Sequence, residues 1–201
     1  MEDDGMNLQL YYRNLLRNTR VRLTNGMGRF NISHMNSMIK LARTDEDAKL
    51  LLEAYYNLLG NFTKLNNTVT DRMVVKYLNA GGDPAKMLEL FEHHTFLMYF
   101  PHYNATTRLL EAVQDDPEKL QQLLKLLKSR VFIKIDASFV GKALEAAKDN
   151  AEATTAILQL AALRTNLLKL NPEYVLKAVS NGLLEYNEQT QELFESAHKL
   201  L

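Results

Sequence analysis

The side chains best able to do chemistry in this chain are its histidines, its paired carboxylates and one glycine-rich turn. Five histidines occur in 201 residues. His93 and His94 are adjacent, so on a helix they project about 100° apart and cannot easily share one metal ion. Glu89 and His93 stand four apart on one helical face, but no second histidine or acidic pair completes a ligand set. Asp45/Asp47 and Asp115/Asp116 fall at helix starts, where negative charge suits the positive end of the helix dipole better than acid–base work. "NAGGDP" at 79–84 lacks the Lys-Ser/Thr and the preceding strand of a phosphate loop. Cysteine is absent, which removes disulfides, a thiol nucleophile and the usual structural zinc sites, and suits a reducing compartment. The expectation is a protein with no catalytic residues, no metal, no cofactor and no small-molecule substrate.

With reactive chemistry set aside, architecture and charge carry the functional reading. The chain is 46% hydrophobic, enough for a real core, and no apolar run approaches the length of a membrane span. Net charge is zero but unevenly spread. From Gly5 to Thr44 there is no acid, while Arg13, Arg17, Arg20, Arg22, Arg29, Lys40 and Arg43 supply seven positive charges. Residues 45–201 hold the other 17 bases against 21 acids.

An internal repeat organises the chain after this basic stretch. The apolar pairs Met38/Ile39, Val74/Val75, Leu109/Leu110, Ala143/Leu144 and Ala178/Val179 recur at spacings of 36, 35, 34 and 35. Four residues after each pair's first member stands Ala42, Leu78, Val113, Ala147 or Gly182; fourteen on, Leu52, Leu88, Leu123 or Ile157; seventeen on, Tyr55, Phe91, Leu126 or Leu160. Each unit therefore reads as two helices joined by a turn. Asp83-Pro84, Asp116-Pro117 and Asn171-Pro172 each pair an N-capping side chain with a proline suited to the first helical turn. One such hairpin buries too little apolar surface to stand alone, so neighbours must stack and share a core. The expected fold is all-α: a short right-handed α-solenoid of about five helix-turn-helix repeats over residues 31–201, preceded by a basic segment at 1–30.

A period near 35 with "GGDPAKMLELFEHH" (81–94) followed by "PHYNATTRLLEAV" (101–113) resembles the pentatricopeptide repeat family. The resemblance covers most of the chain after residue 30, closest at 74–113 and looser in the last two units, where "ELFE" (192–195) survives but the linkers differ. The Trp and Gly-Tyr positions of tetratricopeptide repeats, which share the length, are missing. The resemblance implies one of two functions, in an organelle and chiefly the mitochondrion, on its matrix side. One is a non-catalytic accessory subunit docking on a larger protein complex. A small subunit of this type decorates the catalytic head of euglenozoan mitochondrial ATP synthase, with similar size and near-neutral charge. The other is RNA binding in RNA processing, stability or translation, with one base read per repeat. By resemblance the early reading positions are Asn36, Arg72, Thr107 and Gly141, and the end positions fall near Asn67, His102, Asp136 and Leu170. Thr107 with Asp136 matches a base-reading pair. The repeats themselves, however, are slightly acidic rather than lined by a basic stripe.

Two stretches are candidate partner contacts. The links "TFLMYFPHY" (95–103) and "RVFIKI" (130–135) are densely apolar, and "NLLKL" (166–170) follows suit. Phe96, Tyr99, Phe100, Phe132 and Ile135 either fold under and seal the core between repeats or form an apolar edge that a partner covers. The segment "LQLYYRNLLRNTRVRL" (8–23) reads as an amphipathic helix with Leu8, Tyr12 and Leu15 on one side and Arg13, Arg17 and Arg20 on the other, Arg22 lending its stem to the apolar side. Its acid-free composition resembles a mitochondrial presequence, although "MEDDG" precedes it. A retained helix there would cap the first repeat or meet an acidic protein or a phosphate backbone.

Overall fold

Asparagine and aspartate side chains set where the helices of this protein begin. The computed structural model describes residues 7–24, 32–60, 66–93, 99–130, 133, 135–148, 150–188, 190–192 and 195, with side chains left aside at 18–24 and at Gly60. Every regular element among these residues is helical: α1 (Leu8–Thr24), α2 (Ile32–Leu41), α3 (Asp45–Gly60), α4 (Asn67–Asn79), α5 (Pro84–Glu92), α6 (Tyr103–Val113), α7 (Pro117–Ser129), α8 (Ala137–Ala146), α9 (Ala151–Arg164), a short 3-10 turn (Leu167–Lys169) and α10 (Pro172–Ser180). Asn66, Asp116, Asp136 and Asn150 each accept from the backbone N–H three residues on, at 2.8, 3.1, 2.8 and 3.0 Å. Asp83 and Asn171 accept two residues on, with proline between. Thr44 and Asp47 cap α3 reciprocally, each side chain accepting from the other's backbone N–H. Each cap satisfies a donor that the helix cannot, which contributes about 1 kcal/mol and fixes the register.

Stops are equally specific. At the end of α4 the N–H of Gly82 reaches the carbonyl of Tyr77 and that of Gly81 reaches Leu78, at 3.0 and 3.2 Å. Gly81 takes φ +90°, the left-handed conformation this closure needs. The same pair of bonds, Leu183 to Ala178 and Gly182 to Val179, ends α10, with Gly182 at φ +67°. Gly182, which the sequence columns place beside Leu78 and Val113, is thus the residue that stops its helix.

The chain forms two compact units, Met1–Phe100 and Pro101–Leu201. In the first, α1 packs on α2 and α3, and α4 packs on both α2 and α3. In the second, α6 packs on α7 and α8, α9 packs on α7 and α8, and α10 packs on the 3-10 turn. Within the first unit, α1 buries its apolar side against the first hairpin.

Burial follows the columns of the sequence in part: Leu52, Val75 and Val179 are half-buried and Gly182 is exposed. Met38, Val74, Leu109, Ala143 and Ala178 are fully buried, as are Leu88, Leu123, Ile157 and Phe91. Burying each of the larger of these side chains, Met, Val, Leu, Ile or Phe, stabilises the fold by about 1.5–3 kcal/mol, and each alanine methyl by less. The helices α2, α4, α6, α8 and α10 start at residues 32, 67, 103, 137 and 172, 34 to 36 apart.

Two glycines separate steric need from tolerance. A Cβ on Gly82 would stand 2.4 Å from the buried Tyr77 ring, whereas one on Gly141, inside α8, meets nothing within 4 Å. Gly82→Ala is expected to destabilise by about 1–3 kcal/mol through overpacking. Gly141→Ala is expected to stabilise by about 0.5–1 kcal/mol through reduced backbone entropy. Urea denaturation of the two variants checks both signs.

Candidate partner interface

Helix α1 places two arginines on the surface because its other side is committed. Leu8, Tyr12 and Leu15, spaced to fall on one helical face, are buried against α2 and α3. The Tyr12 hydroxyl donates to Glu53 at 3.1 Å and accepts from Asn57 at 2.8 Å, while Gln9 donates to Glu46 at 3.1 Å. Burial, with Glu53 alongside, pushes the Tyr12 phenol up to about 12. Opposite this seam, Leu10 (51% exposed), Arg13 and Arg17 face solvent. Neither arginine makes an ion pair with a described residue. A groove of about 400 Å³ runs between α1 and α3, lined by Gln9, Tyr12, Arg13, Glu46, Lys49 and Glu53 among others. Arg20 and Arg22 lie on the same helix, but their side chains fall outside the described residues.

Several residues of the apolar links fold inward: Tyr99, Ile133, Ile135, Leu167 and Leu170 are all buried. Tyr99 is buried, stacked edge-on against Phe91 with ring centroids 5.9 Å apart. Its hydroxyl donates to Asp71, and burial together with that carboxylate raises the phenol well above its ordinary value. Ile135 is buried in the second link, and Leu167 and Leu170 in the third. Tyr99 and Ile135 are thus removed from any partner-facing edge: their apolar area is already used between helices. Phe100 remains 40% exposed, and Phe96 and Phe132 lie outside the described residues.

One residue that no motif or spacing singles out holds the second link in place. Arg164, in the last turn of α9, donates to the carbonyls of Ile133, at 3.0 Å, and Leu127. Leu127 belongs to the last turn of α7, where the helix runs out of backbone N–H donors for its own carbonyls. Desolvation lowers the guanidinium pKa, yet two carbonyl acceptors keep the charge tolerable there. Only its place near a helix C-terminus sets Arg164 apart in the sequence, and that position is shared by many surface arginines.

The RNA-reading positions are placed less favourably. Asn36 is half-buried, with its Oδ1 buried and without a hydrogen-bond partner among the described residues. Arg72 is exposed on α4 and Thr107 half-buried on α6. Asp136 spends its carboxylate on capping α8 through the Phe139 N–H. On the α6–α8 face, Glu111 accepts from Lys142 at 2.8 Å and from Arg108 at 3.3 Å. These bonds, with Lys142 the stronger, hold its carboxyl below the usual range. The two cations here are therefore locally neutralised, which disfavours a phosphate track. His93 sits exposed at the end of α5 and His94 lies outside the described residues. Among the described residues no three His, Asp or Glu side chains are placed to hold a metal ion, and no helix is long and apolar enough to cross a membrane.

No protein-family model matches the chain, and no curated protein matches it either.

Two tests probe this geometry. Arg164→Met leaves the Leu127 and Ile133 carbonyls without their donor and is expected to cost about 1–3 kcal/mol, read from the denaturant midpoint. Tyr12 and Tyr55 both have phenols raised from 10.0 to about 12 in the fold, Tyr55 through burial beside Thr70. A raised folded pKa means that their contribution to stability is complete below pH 10 and is lost as pH climbs from 10 towards 12. Phenolate absorbance should show these tyrosines ionising late in the folded protein and at ordinary pH in urea; simultaneous titration of all tyrosines near pH 10 in the folded state would contradict the burial described.

Proposed function

We propose that this chain is a non-catalytic helical-repeat subunit that docks on a larger protein complex in the mitochondrial matrix through protein–protein contacts. On this reading about five helical hairpins, similar to pentatricopeptide repeats, follow one another as a right-handed α-solenoid and offer a surface rather than a reaction. The observation that carries it is the regular placement of α2, α4, α6, α8 and α10, 34 to 36 residues apart, each with the same column residue fully buried. Packing of α4 on both α2 and α3, and of α9 on both α7 and α8, supports the same reading. The organelle rests on the family resemblance and the acid-free amino-terminal stretch; the catalytic head of a mitochondrial ATP synthase is one complex of the required kind. The ion-paired Arg108–Glu111–Lys142 face favours protein docking over RNA reading.

Native purification decides between the two. The expected result is a stoichiometric protein complex that survives nuclease and high salt. Salt-sensitive bound RNA, with a preferred sequence altered by substitution of Thr107 or Asn36, would replace this proposal with the RNA reading.

A further inference from the structure

The geometry points to the outer stripe of α1, Leu10, Arg13 and Arg17, as a docking site for an acidic amphipathic helix of a partner protein. This rests on the docking reading and deepens it by naming the surface and the chemistry of what it binds. The three residues stand at i, i+3 and i+7, the spacing by which one helix presents side chains to another. All are exposed, and Leu10 is half open to solvent although the Leu8–Tyr12–Leu15 side of the same helix is sealed. Arg13 and Arg17 have no carboxylate partner among the described residues, unlike Arg108 and Lys142, which share Glu111. An unpaired arginine fork binds a carboxylate through two parallel hydrogen bonds, and arginine is among the residues that dominate interface energetics.

Charge and shape choose the occupant. A membrane surface needs a broad apolar face to bury, and the apolar face of α1 is already spent on α2 and α3. A nucleic-acid backbone would follow a run of cations, and the described side chains of this stripe offer two, Arg13 and Arg17. A phosphate backbone also has nothing to set on Leu10. A helix carrying two carboxylates one turn apart beside an apolar residue satisfies both arginines and covers the leucine at once.

The full chain is tested by fluorescence anisotropy against four probes. These are a synthetic amphipathic helix with Glu at i and i+4 beside a Leu, the same peptide with that Leu changed to Ser, a single-stranded RNA oligomer, and phosphatidylglycerol vesicles. The expected result is binding of the Glu/Leu helix that weakens about tenfold or more in R13E/R17E. The same binding should weaken severalfold with Leu10→Asn or with the Ser peptide, RNA and vesicles binding less well throughout. Because all three side chains are exposed, circular dichroism should show the variants folded; should the charge reversal unfold the chain, R13Q/R17Q gives the same reading. No binding of the acidic helix, binding indifferent to the arginines, or tighter binding of RNA or vesicles would overturn the assignment. Native purification of R13E/R17E keeps the two proposals apart. If wild type and variant both retain the stoichiometric complex, docking stands and this surface is not its site; if wild type yields no protein complex, the docking reading itself fails.

Discussion

A helix that buries two sides at once constrains everything else in this protein. A lone hairpin of ten-odd residues per helix cannot offset its own conformational entropy, so each helix must find a second neighbour beyond its partner. Within the first unit α4 satisfies both α2 and α3; within the second, α9 satisfies both α7 and α8. The column residues Met38, Val74, Leu109, Ala143 and Ala178 are fully buried in this packing. Their spacing matters more than their identity, since methionine, valine, leucine and alanine all serve.

Polar groups inside such packing have to be matched, and the matches explain several otherwise isolated side chains. Tyr99 brings a hydroxyl into an apolar link and gives it to Asp71; the Tyr55 hydroxyl shares a hydrogen bond with that of Thr70. Thr154, buried in α9, donates to the carbonyl of Ala147. Arg164 supplies carbonyls that α7 and its link leave open. Each is a buried polar atom whose desolvation would cost more than the bond returns if it stood alone. Among the described link residues, Tyr99, Ile133, Ile135, Leu167 and Leu170 are therefore part of the core.

Among the described residues, the surface charges of α1 and of the α6–α8 face are arranged differently. The α6–α8 face pairs its charges locally, whereas α1 holds Arg13 and Arg17 without described acidic partners around an open leucine. On the proposed docking reading this difference is functional: neutralised faces stay soluble and unspecific, while an unpaired basic stripe selects an acidic partner.

Helix content, helix starts and the buried columns were all legible in the chain alone, because they depend on interactions a few residues long. Asp116 caps the helix that Pro117 opens, and Leu109 must turn inward whatever neighbour it meets. The amphipathic division of residues 8–17 was equally readable. Tertiary structure decided the rest. Whether Tyr99 and Ile135 face a partner or a neighbouring helix depends on contacts that local spacing does not encode, and the fold turned both inward. Arg164 looked like any helix-end cation until packing brought the Leu127 and Ile133 carbonyls to it. Gly182 stands in an otherwise apolar column, and only the backbone shows its left-handed turn there. In each instance the deciding energy is long-range burial or carbonyl satisfaction, which composition and period leave open.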